Sequence, residues 1–123
     1  MNVVAALPAD GAVAALAGFD LMTTARLRVL LAHHDPPEAY AVAAGRAEPA
    51  PIVAELLSPR VRAAWARSAD RRSPAAWAER CRHAGVRVVT ERDADYPGVL
   101  HLDPEPPAAL FVRGDLAVLD ARR

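Results

Sequence analysis

Lysine is absent from this chain of 123 residues; all 15 basic residues are arginine. Together with the abundance of alanine, this reads first as GC-rich codon usage, although arginine is also well suited to phosphate. The one cysteine, Cys81, excludes an intramolecular disulfide and points to a reducing compartment. Charges interrupt every apolar run well short of the ~18 residues that a membrane-spanning helix requires. The opening "MNVVAALPADG" has no basic segment of the secretory kind. The expectation is a soluble, cytoplasmic protein without a membrane partner. Neither a Walker loop nor a G-x-G-x-x-G is present, so neither nucleotide signature applies. Only six aromatic residues are available to anchor a core: Phe19, Tyr40, Trp65, Trp77, Tyr96 and Phe111.

Apolar residues are plentiful, at 53%, which excludes wholesale disorder and allows one small domain or one plus part of another. The net charge is zero but unevenly spread. Residues 1–59 hold three arginines against six acids, and residues 60–87 hold eight arginines against Asp70 and Glu79. Residues 91–120 then hold seven acids against Arg92 and Arg113. Such blocks mark either a solvated helix face or a surface for nucleic acid or a partner.

The first two-thirds read as short helices. In "PADGAVAALAGF" Asp10 is a candidate N-cap, with Val13, Leu16 and Ala17 on one face. "TTARLRVLLAHH" follows, capped by Thr23 or Thr24, with Leu27, Leu30 and Leu31 as its stripe and His33 and His34 in its last turn. "PPEAYAVAAG" starts on proline, stops on glycine and turns Tyr40 and Val42 inward. After a break at "AEPAP", two segments share one start signal. Ser58-Pro59 opens "SPRVRAAWARSA", with Val61, Ala64 and Trp65 in line. Ser73-Pro74 opens "SPAAWAERCRHAG", with Trp77, Cys81 and Ala84 in line and Gly85 as the stop.

The period then changes. "VRVVT" (86–90) and "AALFVRG", ended by Gly114, have the β-branched, apolar character of strands. Between them Pro97, Pro104, Pro106 and Pro107 hold the backbone extended or turned. A helical turn at "YPGVLHL" would set Val99, Leu100 and Leu102 against a core. Two strands alone do not make a stable sheet.

Few residues offer chemistry. Adjacent His33 and His34 point to different sides of a helix, and no further ligand stands at metal spacing. His83 and His101 stand alone, and Cys81 reads as a buried thiol. Asp93, Asp95, Asp103 and Glu105 sit beside prolines as turn formers. The reading is not an enzyme, with no catalytic residue, metal or cofactor. Arg67, Arg71 and Arg72, around the turn between the two Ser-Pro helices, are the candidate nucleic-acid contacts, with Arg60, Arg62, Arg80 and Arg82 nearby. Trp65 and Trp77 are assigned to apolar stripes, so no aromatic interleaves with these arginines.

Tyr96-Pro97, Leu100, Pro107, Leu110 and Gly114, at their separations, resemble the "YPxxL…PPxxLFxRG" stretch of the DNA-processing protein A (DprA, or Smf) family. The approach "HAGVRVVTERDADYP" is similar as well. The resemblance implies a mainly α chain: a SAM-like or helix-hairpin-helix-like domain over residues 1–85, then the first strands of a truncated Rossmann-like α/β domain over 86–123. The segment "LAGFDLMTTARLRVLLAHH" lacks the glycine-x-glycine turn of a good hairpin. Members of that family bind single-stranded DNA and load the recombinase RecA during natural transformation, and dimerise mainly through the Rossmann-like domain. The family's DNA pocket lies after the proline-rich stretch, so no DNA-contacting residue transfers to this chain. The expectation is that Val99, Leu100, Leu110 and Phe111 pack on a sheet supplied from beyond Arg123. Two other readings stand beside it: a helical protein-interaction module that binds no nucleic acid, and the front of a nucleotide-binding Rossmann enzyme.

Overall fold

The computed structural model describes residues 9–113, so Gly114, the last member of the proline-rich signature, lies outside the described residues. Among the described residues the chain is mainly helical, with six α-helices and one two-stranded antiparallel sheet. None of these helices is long and apolar enough to cross a membrane.

The first helix, α1 (Ala9–Ala17), lies at the centre, and every residue from Gly11 to Leu16 is buried. Small side chains allow this. A Cβ at Gly11 would stand 2.0 Å from the Pro74 carbonyl oxygen, so α1 and the last helix cross here at backbone contact. The sequence reading of Asp10 as an N-cap is corrected: Asp10 lies inside α1, and its carboxylate accepts a hydrogen bond from the Val88 N–H at 3.2 Å. A distant strand, rather than the local helix end, uses the carboxylate.

The turn after α1 passes through Leu21 at φ 64°, a left-handed conformation that disfavours a residue with a Cβ. Three bonds hold it there. The Asp20 N–H donates to the buried Ser68 hydroxyl, Arg26 donates to the Leu21 carbonyl, and Thr23 caps α2 (Thr24–His33) by accepting from the Arg26 N–H. Leu27, Leu30 and Leu31 face the core as expected. The short α3 (Pro36–Ala43) follows, and Gly45 leaves it at φ 83°. A further helix, α4 (Pro51–Ala54), stands where the sequence shows only a break, and it buries Val53 completely.

The two Ser-Pro starts form as expected. Ser58 accepts from the Val61 N–H to open α5 (Pro59–Arg71), and Ser73 accepts from the Ala76 N–H to open α6 (Pro74–Ala84). On α5 the residues Val61, Ala64, Trp65, Ser68 and Ala69 form the buried stripe. Trp65 is wholly enclosed, and its indole N–H has no partner among the described residues. Gly85, at φ 67°, ends α6 in the left-handed conformation that suits glycine.

β1 (Val86–Thr90) pairs antiparallel with β2 (Ala109–Arg113) in the register Val88 opposite Phe111 and Val89 opposite Leu110. Directly opposed residues share a face. Val86, Val88 and Ala109 therefore turn toward the helices and join their core, whereas Val89, Leu110 and Val112 form the other face with Tyr96 and Leu100. The N–H groups of Val88 and Thr90 donate to the carboxylates of Asp10 and Asp93. Those positions are then the non-bonded pairs of the ladder, and the alternation leaves the backbone of Phe111 on the outer side of β2.

The proline-rich crossing packs on the sheet it belongs to. The turn at Gly98–Leu102 forms as a short 3-10 helix, but only Leu100 is drawn inward. Val99 is half-exposed and Leu102 is 82% exposed, against the expectation that both would meet a core. Leu100 and Leu110 pack, partly buried, within the arm's own cluster, and Phe111 is 50% exposed. Two contacts clip the turn after β1 to α2. Arg28 pairs with Glu91 at 2.8 Å, and Arg92 donates to the Leu31 carbonyl at the helix's C-terminal end.

Candidate nucleic-acid interface

The three arginines singled out at the α5–α6 turn have different fates. Arg67 is exposed and has no ion-pair partner among the described residues. Arg71 pairs with Asp20 across the surface at 3.1 Å. Arg72 turns inward: its Nε donates to the Ala15 carbonyl at 2.8 Å and its Nη2 to the Ala14 carbonyl at 3.0 Å. Those carbonyls lie in the last turn of α1, where the Ala15 oxygen also accepts from the Gly18 N–H at 3.3 Å, and Arg72 acts as a side-chain cap of that helix end. A Cβ at Gly18 would lie 2.0 Å from the Arg72 guanidinium carbon, which explains a glycine at this place. The reading of Arg72 as a free phosphate contact is therefore corrected.

Other members of the block are also spent internally. Arg62 donates to the Leu57 carbonyl, Arg82 pairs with Glu79, and His83 reaches the same carboxylate at 3.0 Å. Arg80 differs. It enters no ion pair among the described residues, and its guanidinium lies 4.5 Å from the centroid of the Trp77 ring. Arg72 lies 4.1 Å from the same ring. Trp77 packs partly buried against the core, as its apolar stripe predicts, but it also stands between two cations, which corrects the expectation that no aromatic interleaves with the arginines. Burial, and then the adjacent Arg80 charge, pull the Arg72 pKa down from its ordinary value. Among the described residues two cations stand together here without an anion.

Trp77 forms the wall of a groove of about 440 Å³ between α1, α6 and β2. Ala14, Ala17 and Gly18 make its floor, and Phe111 closes the strand side. Sequence reasoning missed this juxtaposition. Two signals were present: the i, i+3 spacing of Trp77 and Arg80, and the alternation that puts Phe111 and Arg113 on one face of β2.

The signature residues of the arm converge. Tyr96, 5% exposed, donates its hydroxyl to the Pro107 carbonyl at 2.8 Å, and Leu100 and Leu110 pack against its cluster. Pro97 is fully buried beside it. Burial, and then the charge of Glu91, push the Tyr96 pKa above the ordinary phenol value. Asp93 and Asp103 act as turn formers, accepting from the Thr90 and Glu105 N–H groups, and Asp95 pairs with Arg87.

The histidines do not gather. His33 is exposed, while His34 is buried as the C-cap of α2, accepting from the Ala50 N–H through Nε2 and joining Glu38 through Nδ1 at 2.7 Å. His101 lies against the Tyr96 ring at 4.8 Å between centroids. Among the described residues no three His, Cys, Asp or Glu side chains are grouped to hold a metal ion. Cys81 is buried as expected, and burial, followed by Asp10, raises its thiol pKa. No known family model, curated protein or solved structure matches the chain.

Proposed function

We propose that this chain is the N-terminal part of a single-stranded-DNA-binding, RecA-loading DNA-processing protein that acts in transformation and recombination in the cytoplasm. In this reading the helices form a SAM-like domain and the arm leads into a Rossmann-like one. The chain itself performs no catalysis and takes no cofactor. One observation supports it above the rest. The two halves of the proline-rich signature, Tyr96-Pro97 and Pro107-Leu110, are tied together by the Tyr96 hydroxyl and a shared apolar cluster. A signature that acts as one structural unit explains why its residue types keep their spacing.

The fate of the arginines limits what these residues do with DNA. Most serve as helix caps or ion pairs, so the described part is a positioning module with weak affinity rather than the main grip. Titration of the chain with RecA, and of RecA filament assembly on single-stranded DNA, tests the proposal. Binding to RecA together with weak oligonucleotide binding that vanishes by moderate salt is expected. Absence of any RecA interaction would remove it. The same spending of charge favours a second reading, a helical protein-interaction module; salt-insensitive binding to a protein partner with no oligonucleotide binding would select it.

A further inference from the structure

The geometry points to a contact site for single-stranded DNA in the groove between α1, α6 and β2, with Phe111 as a base-stacking face and Arg80 and Arg113 as phosphate contacts. This rests on the single-strand reading above and moves the contact away from the α5–α6 turn. Three observations carry it.

The groove has a flat apolar floor, because Ala14, Ala17 and Gly18 offer no side chain beyond Cβ, and Phe111 stands over it half-exposed. A volume of about 440 Å³ is adequate for one nucleobase with its sugar. Among the described residues its charge is of one sign: Arg72 and Arg80 line it, no carboxylate does, and Arg113 shares the Phe111 face at the end of β2. Arg72 is already committed to the α1 carbonyls and holds Trp77 in place, whereas Arg80 has no ion-pair partner among the described residues and can take a phosphate. Open aromatic surface next to arginines that are unpaired among the described residues is the arrangement that holds a single strand without reading its sequence.

The chain carries its own reporter. Trp65 is completely buried, so Trp77 is the tryptophan that a ligand in the groove reaches. We would titrate the intact chain with oligothymidylate and oligouridylate of about 12 nucleotides and follow tryptophan fluorescence. Quenching by both, at similar affinity, is expected, since the groove addresses a π-face and a phosphate; a requirement for oligouridylate would overturn the assignment to DNA. Phe111→Ala should weaken binding about tenfold, the scale of one lost stack. Phe111→Leu, which keeps the apolar bulk, should weaken it similarly. Arg80→Gln should make the salt dependence shallower by about 0.7 in log–log slope, one phosphate's worth. Arg67→Gln, at the exposed turn, should change neither. Quenching unaffected by Phe111→Leu and Arg80→Gln, or lost in Arg67→Gln, would sink the proposal. So would binding of polyglutamate in place of the oligonucleotides, which would mark the groove as a protein-docking site. RecA binding measured on the same variants separates the two ideas: retained RecA interaction with no oligonucleotide contact at the groove removes this proposal and leaves the proposed function standing.

Discussion

The helices and the proline-rich arm achieve order in different ways. The helices share one continuous core, from Leu16 and Leu30 to Trp65, and their ends are capped by serine, threonine and arginine. The outer face of the arm has only a small cluster of its own, around Val89, Tyr96 and Pro97, while its inner face joins the helical core through Val86, Val88, Ala108 and Ala109 and is pinned by Asp10, Arg28 and Arg92. A large core shared by the helices and the inner sheet face, and a small separate cluster on the outer face, make different promises. Damage to the first should be felt everywhere, and damage to the second should stay local.

The largest test of that contrast is Trp65→Ala. Emptying a fully enclosed site of this size should cost about 3–5 kcal/mol and appear in chemical denaturation as loss of the whole fold. Gly11→Ala comes next. Its new methyl would press on the Pro74 carbonyl and Ala78, and overpacking of this kind costs about 1–3 kcal/mol, again with global effect.

A matched pair sharpens the comparison. Tyr40 donates its hydroxyl to the Ala69 and Arg72 carbonyls at the end of α5, and Tyr96 donates to Pro107 in the arm. Each phenylalanine replacement should remove about 1 kcal/mol. Hydrogen exchange should accelerate throughout the helices for Tyr40→Phe, but only in the arm for Tyr96→Phe. Equal, chain-wide effects would show that the two regions unfold as one.

The smallest effect is on pH. Burial is the leading cause of the raised pKa of Cys81, Tyr40 and Tyr96, so the folded chain favours their neutral forms. Their contribution to stability is therefore complete below about pH 8.5 for the thiol and about pH 10 for the phenols, and declines as pH rises above those values. Thermal melts from neutral to alkaline pH should fall in that order. A chain with both tyrosines replaced by phenylalanine should show only the thiol's part.

How much of this was legible depended on the range of the interactions. The Ser58 and Ser73 caps were readable because an N-cap bonds to a backbone group three residues on. The leucine stripe of α2 and the glycine stops of α3 and α6 were readable for the same reason. α4 escaped because four residues do not complete a period, although Pro51 at its first position is the same device that announced α5 and α6. Asp10 misled because its carboxylate bonds 78 residues away rather than locally. The spacing of Trp77 rightly put it against the core, but its arginine neighbours were hidden, because Arg72 reaches it from the C-cap of α5. Arg72 itself, placed correctly in a basic block, is held by α1 carbonyls that no spacing rule reveals.

The placement of Asp10 and Asp93 has one more effect. By occupying the amides along β1, the two carboxylates plug that margin of the ribbon. The opposite margin, along Phe111, has main-chain donors and acceptors with no partner among the described residues. Among the described residues the ribbon is thus open to a neighbour on one flank alone, a direction built in by two aspartates.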